Sequence, residues 1–157
     1  MTTAAVADAG PLIHLAEIDS LTLLSVLHDR YVPETVYEEI AAGGVPSEME
    51  ALSYERVTPG GTRVGKPELD AGEQAALAVA DEYDIVLLTD DLAARDVATE
   101  TGVEVHGSLG IIALAYSENR IERGEAAERM RALQRETSLF VTDAVVERGI
   151  DMLDEVD

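Results

Sequence analysis

The chain has 157 residues, 46% of them hydrophobic, which is enough for one buried core and too apolar for a disordered tail. Cysteine is absent, excluding disulfides, thiol catalysis and Cys-ligated zinc or iron–sulfur sites, and three scattered histidines (His14, His28, His106) argue against a His-rich metal centre. Acidic residues outnumber basic ones 32 to 11, a net charge of −21, and Lys66 is the one lysine.

In chain order, Ala4–Ala7 reads as a short small-residue strand ending at Asp8. Gly10-Pro11 opens a helix, with Pro11 suited to a first turn and Leu12, Leu15 and Ile18 at helical spacing. Asp19-Ser20 caps a second helix carrying Leu21, Leu24 and Leu27. Tyr31-Val32 reads as a short strand, and Pro33 opens a third helix that ends at Gly43-Gly44. Residues 45–68 carry weaker signals: a short helix near 47–52, an edge strand at Glu55–Val57, then a Gly/Pro-rich loop. Asp70 begins an alanine-rich helix with Ala71, Ala75, Leu77, Ala78 and Ala80. Residues 85–88 form a continuous apolar run, the mark of a strand buried on both faces. Asp90-Asp91 start the next helix, residues 103–105 form the last core strand, and Ser108 caps a helix to about Glu118. Two more helices are expected near 122–135 and at Asp143–Leu153. Strands alternating with helices predict a parallel α/β sheet covered on both faces, with ligands beyond the carboxyl ends of the strands.

The acids are spread along the whole chain rather than blocked into a tail. Self-repulsion at −21 strains a small domain in dilute buffer and is mostly screened at ~1 M salt, where the Debye length is ~3 Å. This predicts a protein from a salt-loving cell, in which negative charge says little against a nucleic-acid substrate; the alternative is an acidic mesophilic protein with a basic partner. No apolar run reaches transmembrane length and no basic segment leads into an apolar stretch at the start, so the expected compartment is the cytoplasm.

Four places concentrate carboxylates. Asp8, directly after a buried strand, either caps the next helix or binds something. Glu39 borders the face defined by Val36, Tyr37 and Ile40, whereas Glu38 points nearly opposite. Asp70-Ala71-Gly72-Glu73 has capping-box spacing, with Asp70 as the cap; Glu73 either completes the box or projects into a site at the sheet edge. Asp90-Asp91 offers two carboxylates where a cap needs one, and the spacing leaves open which of them faces the cleft.

In this order the motifs resemble a PIN domain of the branch related to VapC-type toxins. The landmarks are Asp8 followed by Gly10-Pro11-Leu12-Ile13, Val36-Tyr37-Glu38-Glu39-Ile40 after Val32-Pro33, Leu69-Asp70-Ala71-Gly72-Glu73, Leu88-Thr89-Asp90-Asp91 with Ala94-Arg95, and Val105-His106-Gly107-Ser108. The resemblance spans about residues 4–153. It implies a single domain over 1–157, a three-layer α/β/α fold with a central parallel sheet of four or five strands, and C-terminal helices near 122–153 packed on it. It further implies a metal-dependent endoribonuclease, the toxin of a toxin–antitoxin pair, with RNA as substrate, an antitoxin protein as partner and homodimers in view. Carried over by position, the catalytic acids are Asp8, Glu39, Glu73 and Asp91, and the metal ligands Asp8, Glu73, Asp90 and Asp91. Glu73 departs from the family pattern, since many relatives use an aspartate there.

The chemistry matches that inventory. Crowded carboxylates hold protons unless a cation neutralises them, and Mg²⁺ or Mn²⁺ prefers oxygen ligands. Thr89 and Ser108 are read as strand-end or cap residues that can reach a phosphate. Arg123, Arg129, Arg131 and Arg135 are interleaved with glutamates and read as helix-surface ion pairs rather than phosphate binders. Two other readings compete: a catalytically inactive PIN-like scaffold, and a receiver or phosphoryl-transfer enzyme. The second is opposed by the lack of any lysine after Lys66 and by Gly10 two residues past Asp8.

Overall fold

In a computed structural model, which describes residues 4–60 and 68–155, five parallel strands form one sheet in the order β3-β2-β1-β4-β5. Small, buried β1 (Ala4–Ala7) is its central strand, with β2 (Asp29–Pro33) on one side and β4 (Val86–Leu88) on the other. β3 (Glu55–Val57) and β5 (Val105–His106) are the edges. The order reverses direction between β1 and β4, the switch point where open α/β sheets place their ligands.

Period-two alternation divides the core between the two faces. Ala5 and Ala7 of β1, with Val86 and Leu88 of β4, join one cluster with Leu12 and Leu15 of α1 (Ala9–Glu17). The same cluster takes in Ile111 and Ile112, Met130 and Leu133, and Ile150 and Leu153. These come respectively from α6 (Ser108–Ser117), α7 (Arg123–Glu136) and α8 (Asp143–Leu153). Val6 and Leu87 point the other way, onto Leu77 and Val79 of α4 (Ala71–Tyr83) and Val97 of α5 (Leu92–Glu100). The three-layer α/β/α fold follows, with α7 and α8 packed on α6. Among the described residues no helix is long and apolar enough to cross a membrane.

Most elements fall where hydrophobic spacing places them, including α2 (Glu34–Ala42) after Pro33 and the short α3 (Glu48–Ala51). Two differ. The expected second α-helix is a 3-10 helix, Leu21–Val26. Ser20 makes no cap there, because its hydroxyl donates to the Ile18 carbonyl, and Arg30 takes the Leu24 and Leu27 carbonyls as the chain turns into β2. The last strand starts at Val105 rather than 103, because the Val103 N–H turns back to the Ala98 carbonyl (2.8 Å) and closes the end of α5. Of the expected Gly/Pro-rich loop, residues 61–67 lie outside the described residues.

Candidate active site

The register Ala7↔Leu88 makes β1 and β4 end side by side, so Asp8 and Thr89 emerge as neighbours. The Asp8 N–H donates to the Leu88 carbonyl at 2.9 Å, continuing the ladder by one residue. Asp8 is the N-cap of α1: Oδ1 accepts from the Ala9 N–H at 2.8 Å and Oδ2 from the Thr89 hydroxyl at 2.9 Å. Thr89 is fully buried, and its Oγ1 also accepts from the Asp91 N–H at 3.2 Å. One hydroxyl thus ties Asp8 to the turn carrying Asp91. Asp91 is exposed and caps α5, with Oδ2 accepting from the Ala94 N–H at 2.9 Å.

The second half of the site comes from α4 and α2. Asp70 and Glu73 form a capping box: Asp70 Oδ1 accepts from the Glu73 N–H at 2.8 Å, and Glu73 Oε1 accepts from the Asp70 N–H at 2.9 Å. Glu39 lies on α2, which packs on α4, and its carboxylate accepts from the Gly72 N–H. A β-carbon at Gly72 would sit 2.1 Å from Glu39 Oε1, so glycine is what lets the two helices share this point.

These groups feel one another. Burial raises Asp8 to about 6 against the pull of its two hydrogen bonds, and the charges of Asp70 and Asp91 add to the rise. Burial likewise raises Glu73 to about 7, with Asp70, Asp91 and Asp8 contributing. Glu39 is raised by burial and by Asp70 and Asp8. At the carboxyl ends of the central strands, Asp8 thus lies within electrostatic reach of Glu39, Glu73 and Asp91, the other expected catalytic acids. Asp70, which sequence reasoning treats only as a cap, belongs to the same electrostatic cluster.

Asp90 is placed apart from them. Its Oδ1 accepts from the Ser108 N–H at 2.7 Å, and its Oδ2 contacts the Ser108 hydroxyl (2.6 Å) and His14 Nδ1 (2.8 Å). Burial pushes this carboxyl up, but the bonds to His14 and Ser108 outweigh it and hold it below the usual carboxylate range. Asp90 fastens β4 to α1 and to the start of α6. Ser108 is thus Asp90's partner rather than a helix cap; Gly107 occupies the cap position. The arginine-bearing helix is engaged in ion pairs, Arg123 with Asp154 (2.6 and 2.9 Å) and Arg129 with Glu125.

Among the described residues no three His, Asp or Glu side chains stand close enough together to hold a metal ion as they are. The donor chemistry nevertheless fits a hard divalent cation: oxygen ligands only, with Asp8, Glu39 and Glu73 raised above the usual carboxylate range by burial and by neighbouring acids. Of the expected ligands, Asp8, Glu73 and Asp91 could hold it with Glu39 beside them, each turning from or sharing its present hydrogen bond, whereas Asp90 is engaged by His14 and Ser108.

No curated protein matches the chain. Among solved structures, a PilT N-terminus domain protein from the hyperthermophilic archaeon Sulfolobus solfataricus P2 is similar, with a TM-score of 0.60 and 19% identity over 76% of this chain and 96% of that one. At that identity the likeness speaks for the fold. The family DUF3368, a PIN domain, matches residues 4–155, from β1 to the end of α8, and the chain therefore belongs to the PIN-domain family.

Proposed function

We propose that this protein hydrolyses RNA phosphodiesters at the Asp8–Glu39–Glu73–Asp91 cluster with Mg²⁺ or Mn²⁺ as cofactor, and that it is the toxin of a toxin–antitoxin pair. PIN domains are typically metal-dependent nucleases. What supports the reading here is the electrostatic coupling of Asp8, after β1, with Glu39 of α2, Glu73 of α4 and Asp91 of the β4–α5 turn, beside the switch point of the sheet. When bound, the cation lowers the pKa of a water and neutralises charge on the phosphodiester and its leaving oxygen. Asp8, held by Thr89 and Ala9, supplies a fixed carboxylate at the cluster's floor. Glu39, seated against Gly72, supplies one from the opposite wall. Glu73, raised to about 7 by burial and the neighbouring acids, supplies a carboxylate that a cation would return to its ionised form.

The toxin role rests on the order of the motifs around Asp8, Glu39, Glu73 and Asp91. The net charge of −21 with a single lysine supports a salt-adapted protein, so assays belong in high KCl. The test is cleavage of single-stranded and structured RNA with Mn²⁺ or Mg²⁺, wild type against Asp8→Asn. Cleavage that needs metal and is lost in the variant supports the proposal; none by wild type overturns it. The engagement of Asp70, Glu73 and Asp91 in helix caps favours the second reading, a PIN module that no longer cuts. Calorimetric Mn²⁺ titration separates the two, since only the nuclease requires a site that loads.

A further inference from the structure

Beside the acidic cluster, past the Asp90-Asp91 turn, a groove of about 520 Å³ runs between α5, α6 and α8. Its walls include Leu92, Arg95, Gly107, Phe140, Arg148 and Met152. Two of its features stand out against the composition. Phe140, the chain's single phenylalanine, is 87% exposed, and Leu92 next to Asp91 is 77% exposed. Arg95 is half-buried, yet among the described residues it has no side-chain hydrogen bond and no carboxylate partner, in a chain with 32 acids. Its Nη1 lies over Gly107, 2.6 Å from where a β-carbon would stand, with Asp90 Oδ1 2.8 Å from the same point and already bonded to the Ser108 N–H. By contrast Arg56, Arg123 and Arg129 are each matched to an acid, and Arg148, the groove's other guanidinium, meets Glu155 at 3.5 Å.

Resting on the nuclease reading, we propose that this groove receives the RNA nucleotides flanking the scissile phosphodiester, with Arg95 gripping a backbone phosphate and Phe140 stacking on a base. Arg95 lies one helical turn beyond Asp91, its N–H donating to the Asp91 carbonyl at 3.0 Å. A strand whose reacting phosphate is at Asp91 therefore meets this guanidinium next. A phosphate supplies the hydrogen-bonded anion that Arg95 lacks, and arginine's planar fork suits it. An exposed aromatic ring near a free guanidinium is a pairing with which proteins hold single strands without reading sequence. The apolar remainder of the walls accommodates base faces and riboses.

The test is binding of a fluorescein-labelled single-stranded oligoribonucleotide by anisotropy, in EDTA over a KCl series, to wild type, Arg95→Met, Phe140→Ser and the control Arg135→Met, which does not line the groove. Thermal melts verify that each folds. Arg95→Met should weaken binding about tenfold and reduce the slope of log K against log salt by about 1. Phe140→Ser should weaken it about tenfold with the slope unchanged, as loss of one stacked base does. In Mn²⁺-supported cleavage both variants should raise KM with kcat retained. Wild-type affinity in both variants, with cleavage intact, overturns the groove assignment and leaves the nuclease reading standing. A wild type that neither binds nor cuts RNA overturns both. Sedimentation supplies one more outcome: a dimer that Phe140→Ser dissociates while RNA affinity holds makes this face a contact between copies and overturns the proposal.

Discussion

Glu39 of α2 and Gly72 of α4 meet so closely that the glycine's missing β-carbon is part of the site: placed there, it would lie 2.1 Å from Oε1 and 3.0 Å from the carboxyl carbon. The Gly72 N–H donates to that same carboxylate. Gly72→Ala must displace the far end of a flexible side chain, which is cheap for the fold, and alanine in a helical turn regains ~0.5–1 kcal/mol over glycine. The variant should therefore melt within about 1 kcal/mol of wild type. Cleavage should fall by about 10²-fold, the scale of misplacing a positioned group by an ångström. Full activity in Gly72→Ala would remove Glu39 from the site.

Asp90 and Asp91 are neighbours with opposite expected phenotypes. Asp90→Ala leaves the Ser108 N–H, the Ser108 hydroxyl and His14 without their acceptor, so unfolding should become easier by ~2–4 kcal/mol. Asp91→Asn keeps an oxygen for the Ala94 N–H, and asparagine caps as well as aspartate, so stability should change by less than ~0.5 kcal/mol. Its cleavage should drop about 10²–10³-fold. Denaturant unfolding and single-turnover cleavage of both variants check this; the reverse pattern would exchange the two roles.

The middle of the sheet was legible because β1 and β4 are short apolar runs: Ala4–Ala7 and Val86–Leu88 stand where the residues place them. The four acids were legible as candidates, since Asp8 and Asp91 follow buried strands and Glu73 opens a strong helix. What local sequence does not encode is which way adjacent side chains turn. Asp90 and Asp91 are equivalent as letters, and only the approach of α1 and α6, bringing His14 and Ser108, draws Asp90 away from the cluster. Gly72 was hidden for the same reason: its role depends on Glu39, 33 positions earlier, and the only trace in the sequence is a glycine in a first helical turn. The 3-10 segment at Leu21–Val26 failed as a helix because spacing of leucines alone does not supply a cap.

Salt should act on the whole molecule. With −21 spread over the chain, raising KCl from ~0.1 M to ~1 M shortens the Debye length from ~10 Å to ~3 Å and removes most self-repulsion. The metal-free melting temperature should climb by at least ~5 °C over that range, at ~2–4 °C per kcal/mol for a chain of this size. A series in which the midpoint stays still would sink the salt-adapted reading.

Ionisation of its own active-site carboxyls should destabilise the metal-free protein as pH rises. Asp8 is raised from 3.8 to about 6 and Glu73 from 4.5 to about 7, in both cases first by burial. The folded chain thus holds more protons than the unfolded chain between those values. These two groups therefore make stability fall as pH rises from about 4 to about 7, and add no further loss above that. Asp8, 6% exposed, accounts for a fall on the order of 2–3 kcal/mol. Asp8→Asn removes its ionisation while keeping an acceptor for the Ala9 N–H, so its stability should decline less across the window and at pH 8 equal or exceed that of wild type. Saturating Mn²⁺ should reverse the order at pH 8: wild type gains stability by mass action, and the variant, short of a ligand, gains less. Chemical denaturation of both proteins at pH 5 and pH 8, in EDTA and in Mn²⁺, gives the comparison directly. A wild type that is no less stable at pH 8 than the variant in EDTA, and gains nothing from Mn²⁺, would show Asp8 to be a helix cap and no more.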